Sequence, residues 1–69
     1  MWIQTQNGNL VNCDEMHAIT LDTDNKSVVG VVGNNHHFLI GSFNSTPEAK
    51  QQIQAIFNAI SRNASHLIV

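Results

Sequence analysis

The apolar positions of this chain change period once. As far as Phe43 they come in short runs and alternations, and beyond it they fall on one helical stripe. Asn44-Ser45-Thr46-Pro47-Glu48 carries a helix start. Ala49, Ile53, Ile56, Phe57 and Ile60 then recur at spacings that share one face of a 3.6-residue helix. Thr46 is the expected N-cap, with Pro47 in the first helical position, where a missing N–H costs nothing. Glu48 follows beside the positive end of the helix dipole. The helical signal weakens after Arg62, and three fates stay open for His66-Leu67-Ile68-Val69: extending the helix, docking as a tail, or fraying.

Before the helix the pattern predicts five strands: Trp2 to Gln6, Leu10 to Asn12, Ala18 to Asp22, Val28 to Val32 and His37 to Phe43. Asn7-Gly8 reads as a hairpin, with a type I′ turn that needs positive φ at both central residues. Asp22 to Ser27 and Gly33-Asn34-Asn35 are turns by composition. Short connections favour antiparallel neighbours. The expected fold is therefore α+β, an antiparallel five-stranded meander packed against one C-terminal helix. Residues 1–69 form a single domain, because neither a linker nor an internal repeat interrupts them.

That architecture leaves a surplus. One helix shelters one sheet face, yet Val28-Val29-Gly30-Val31-Val32 and Phe38-Leu39-Ile40 are apolar on both. Uncovered apolar area of that kind marks an interaction site. The expected interface residues are Trp2, Val28, Val32 and Phe38, and the expected assembly is a homodimer formed through the sheet.

Charge narrows the partners. The net charge is -2, and Lys26, Lys50 and Arg62 are the only strong cations. Nucleic-acid binding needs clustered Lys and Arg, so no nucleic-acid partner is expected. The same scarcity argues against anionic membranes. No apolar run reaches membrane-spanning length, and the N-terminus lacks the basic and apolar regions of an export signal. A cytoplasmic location is the expectation, with the single Cys13 reduced.

Candidate chemistry is sparse. In a strand His36 and His37 point to opposite faces and cannot chelate one ion; in a turn they can. Cys13 and His17 make a nucleophile–base pair only if the imidazole reaches the thiol, and no oxyanion donor or orienting third residue accompanies them. Asp22 and Asp24 lack the spacing of a calcium loop. No cofactor and no enzymatic activity are expected.

Gln6-Asn7-Gly8-Asn9-Leu10-Val11-Asn12, Ile40-Gly41-Ser42-Phe43-Asn44-Ser45 and Pro47-Glu48-Ala49-Lys50 resemble segments of a group of small uncharacterised proteins from Gram-positive bacteria and their phages. The resemblance covers about half of the chain and implies a strand meander closed by a C-terminal helix. It implies no activity, cofactor or catalytic residue. The functional expectation is a non-enzymatic protein-interaction module that associates with itself and with an unidentified protein partner. The alternative is a small ligand- or metal-ion-binding protein using His36/His37 or Cys13/His17.

Overall fold

The computed structural model describes residues 1–69. Six strands and one helix follow in order: β1 (Trp2–Gln4), β2 (Leu10–Asn12), β3 (Ala18–Leu21), β4 (Ser27–Val32), β5 (His36–Ser42), α1 (Thr46–Ser61) and β6 (His66–Ile68). A single 3-10 turn, Cys13–Glu15, links β2 to β3. The α+β class is as expected, but the single meander is not. The strands form two three-stranded sheets, ordered β2-β1-β6 and β3-β4-β5.

The 3-10 turn explains the split. Asn12 caps it, its side chain accepting a hydrogen bond from Asp14 N at 3.1 Å. The chain therefore leaves the first sheet instead of pairing β2 with β3. The C-terminal tail completes that sheet: β6 runs parallel to β1, with Ile3 beside Leu67. A parallel pair needs a long crossover, and α1 supplies it.

The helix ends are both satisfied, one residue away from the expected start. Ser45, not Thr46, is the N-cap, with φ -149° and ψ 159°. Its hydroxyl accepts from Glu48 N and donates to Glu48 Oε1, both at 3.3 Å. At the other end Asn63 takes φ 57°. Asn63 N then bonds Ile60 O at 3.1 Å and Ala64 N bonds Ala59 O at 3.0 Å. This is a Schellman closure, which satisfies the last carbonyls and reverses the chain into β6.

The first hairpin also differs from expectation. Gly8 has φ 88°, but Asn7 is not in the positive-φ region. Thr5 N bonds Asn9 O at 2.8 Å, so the loop holds three residues, with glycine at the left-handed position. The nearly buried Thr5 hydroxyl donates to Asn7 Oδ1 and accepts from Asn9 N, which fixes the loop from inside.

The core lies where the two sheets and the helix meet. Ile3, Val28, Ile40, Ala49 and Ile56 form it, each at most 1% exposed. In β5 one extra residue, Ile40, sits between Leu39 and Gly41, which pair with Val29 and Val28. Such a bulge releases backbone groups from the ladder. Gln6 takes them: its N–H donates to Ile40 O at 3.0 Å and its side-chain oxygen accepts from Ser42 N at 2.8 Å. This clasp bridges the sheets.

Candidate functional site

The residues expected at an interface separate on folding. Val28 belongs to the core and has no exposed surface, so it presents nothing to a partner. The reason is parity: Val28 shares its side of the sheet with Leu21 and Ile40, the side that faces the helix. Phe38 is half-buried and packs against that core, its ring lying over Gly30. Val32 is half-buried at the end of β4. Only Trp2 of the four is well exposed, at 52%.

The apolar surplus expected on β4 is largely enclosed. Val29 and Val31 face away from the helix yet stay buried, at 4% and 6% exposure. The register places Thr20 and Leu39 on either side of Val29, and Ala18 and His37 on either side of Val31. Each of these two valines is thus flanked on both sides by a paired side chain.

Uncovered apolar surface lies on the helix, where Phe57 and Ile60 of the expected stripe are exposed, and on the other sheet. In β1 the inward residue is Ile3, so Trp2 and Gln4 point outward. The register adds Leu10 and Ile68 on either side of Gln4, and Asn12 and His66 on either side of Trp2. Leu10 is 68% exposed and Ile68 70%, more than any other large apolar side chain of the chain. None of these six outward residues is Asp, Glu, Lys or Arg. Sequence reasoning missed Leu10 and Ile68. The alternation in Leu10-Val11-Asn12 carried part of the signal. Which parity faces out depends on the three-residue hairpin loop, which pairs Leu10 with Gln4.

The histidine and cysteine candidates divide as well. His36 and His37 are neighbours in β5, both exposed, opposite Val32 and Val31. Strand geometry sends them to opposite faces. Cys13 and His17, by contrast, border one open cleft of about 480 Å³ between the 3-10 turn, the start of β3 and the end of α1. Met1, Met16, Ile19 and Ile60 give it an apolar lining, and Asp14 and Asn63 stand among its polar residues. The Met1 amino group lies 3.6 Å from Asp14 Oδ1. Burial pushes the Cys13 thiol up, the Met1 amino group pulls the other way, and the Asp14 carboxylate adds to the rise. The thiol is thus held in its protonated, weakly nucleophilic form. No three His, Cys, Asp or Glu side chains converge as a metal site would require.

No helix is long and apolar enough to cross a membrane. No protein-family model matches the chain, and no curated protein or solved structure shows significant similarity to it.

Proposed function

We propose that this protein is a non-enzymatic interaction module that docks proteins through the outer face of the β2-β1-β6 sheet, a second copy of itself among them. One observation carries the reading: Trp2, Leu10 and Ile68 stand exposed together on one sheet face. Three such side chains make a patch on the order of a few hundred Å², the scale at which surface patches become functional. Trp is also the residue type most enriched among binding hot spots. The thiol held protonated at Cys13 supports a role without nucleophilic chemistry.

Trp2 is the only tryptophan and the chain has no tyrosine, so its fluorescence reports on this face alone. Sedimentation equilibrium between about 10 μM and about 1 mM, followed with Trp2 emission, tests the reading. The expected result is a concentration-dependent rise above the 7.6 kDa monomer, with a blue shift. Leu10→Lys and Ile68→Lys should abolish both changes. A 7.6 kDa species throughout, with unchanged emission, counts against the reading.

The ligand-binding alternative has one supporting observation, the apolar cleft beside Cys13 and His17. Its His36/His37 form has none, because those two side chains diverge along β5.

A further inference from the structure

We propose that the free edge of β3 takes up an extended peptide as a fourth strand of its sheet, one whose short uncharged centre is flanked on both sides by Lys or Arg. This surface is separate from the sheet face described above. β3 is an outer strand of the β3-β4-β5 sheet. Asp22 N bonds Ser27 O at 2.9 Å, which sets the alternation of the antiparallel ladder. Ala18 and Thr20 turn their backbone groups towards β4, and Ile19 and Leu21 turn theirs away. No other backbone segment meets those outward groups. The opposite edge of the sheet differs, because Gln6 holds β5 at Ile40 and Ser42. Exposed edges are commonly blunted by a lysine or a proline. Ala18-Ile19-Thr20-Leu21 contains neither.

Charge selects the occupant. Four of the five carboxylate side chains flank this strand, Asp14 and Glu15 before it and Asp22 and Asp24 after it, and all four are exposed. The Met1 amino group lies beside Asp14 and the Lys26 charge acts on Asp24, while no cation pairs with Glu15 or Asp22. A second copy is disfavoured here. With acid at both ends, a β3–β3 pair in either direction sets carboxylates against carboxylates. A strand with a basic residue at each end meets an opposite charge at each end. Main-chain hydrogen bonds then give affinity, and alternate side chains give selectivity. Ile19 lies on the helix side of β3, as Leu21 does, and with Ile60 it borders the cleft of about 480 Å³ at the start of the strand. An apolar peptide residue beside Ile19 on that side is directed towards the cleft.

Amide NMR of the isotope-labelled protein, titrated with the synthetic peptide acetyl-Arg-Thr-Val-Thr-Val-Arg-amide, tests this. The Ile19 and Leu21 amide signals should shift saturably and their hydrogen exchange should slow, with half-saturation between about 0.1 mM and about 2 mM. The same peptide with Glu at both ends should bind at least about tenfold more weakly. The double variant Glu15→Gln with Asp22→Asn, shown to be folded by circular dichroism, should bind the Arg peptide at least about threefold more weakly and discriminate less against the Glu peptide. Leu10→Lys, on the other sheet, should bind the Arg peptide like the wild type, which separates this proposal from the docking face above. No saturable shift at Ile19 and Leu21 up to about 5 mM, or equal affinity for the Arg and Glu peptides, overturns it. Shifts confined to Trp2, Leu10 and Ile68 also overturn it, and leave the outer face of β1 as the place where peptides bind.

Discussion

β1 and β4 are the middle strands of the two sheets, and they meet solvent in opposite ways. In β4, Val28, Val29 and Val31 are all at most 6% exposed, although they point to both faces. In β1, Ile3 is fully buried while Trp2 is 52% exposed. Both middle strands are paired on each side at these positions, so the side chains make the difference. Val29 and Val31 are short and lie between Thr20 and Leu39 and between Ala18 and His37, whereas Trp2 is larger than the Asn12 and His66 beside it. Apolar residues on both faces of a strand therefore do not by themselves mean uncovered apolar surface.

The largest expected effects separate buried from uncovered apolar residues. Ile40→Ala empties a fully buried site between the sheets and the helix. It should cost about 2–5 kcal/mol, against a total of about 3–10 kcal/mol for a domain this long. Leu10→Ala, at an exposed position of equal hydrophobicity, should stay within about 0.5 kcal/mol. Urea denaturation of both variants measures the contrast. Equal losses would show that the outer face of β1 is covered after all.

Gly30→Ala probes why β4 packs so tightly on its helix side. A Cβ built there would lie 2.7 Å from Phe38 Cζ and 2.9 Å from Met16 Sδ. Both obstacles are side-chain ends with some freedom to move, so the cost should be about 1–3 kcal/mol. The sharper measurement is a double-mutant cycle with Phe38→Leu. A coupling energy of about 0.5 kcal/mol or more is expected, because the smaller side chain relieves the clash. Simple additivity would mean that Phe38 is not what Gly30 accommodates.

Much of the local structure was legible because it is local chemistry. Apolar alternation located the five strands before the helix to within one or two residues, and Pro47-Glu48 announced the helix. What was not legible is long-range. The split into two sheets turns on a 3-10 turn capped by Asn12, and β6 pairs with a strand more than sixty residues earlier. Asn63 could have been read as a C-terminal cap, since asparagine tolerates positive φ, and it points to a chain reversal rather than a longer helix. For the candidate site, Trp2 was among the residues expected at an interface, and it is the exposed one of those four. Val28 was misplaced because a run apolar at every position does not reveal its inward parity. Leu10 and Ile68 needed the register of the first sheet.

Between the two sheets stands the Gln6 clasp, and a smaller effect follows from it. Gln6→Ala removes the side-chain acceptor of Ser42 N but leaves the backbone bond to Ile40 O intact. The site is solvent-accessible, so the loss should be about 1 kcal/mol. Hydrogen exchange should quicken at the Ser42 amide while the amides of β4 keep their protection. Uniform acceleration across both sheets would mean that the clasp supports the whole fold rather than the junction.

The smallest expected effect is electrostatic and lies in the turn that feeds the shielded strand. Asp24 accepts hydrogen bonds from Lys26 N and Ser27 N, both at 2.9 Å, and from the Ser27 hydroxyl at 2.8 Å. The Ser27 hydroxyl also meets that of Ser42 at 3.1 Å, which carries the contact across to β5. The Lys26 N–H, then the two Ser27 donors, hold the Asp24 carboxyl below the usual carboxylate range; slight desolvation opposes them and the Lys26 charge assists. A carboxyl lowered on folding favours the native state wherever it is ionised in both states. That contribution is complete above the ordinary carboxylate range and disappears as pH falls through the lowered folded value. Asp24→Asn keeps an acceptor of similar shape but cannot ionise. Wild type should therefore melt slightly higher than Asp24→Asn at neutral pH, and the gap should close in acid. A gap that persists unchanged into acid would assign the turn's stability to acceptor geometry rather than to the charge.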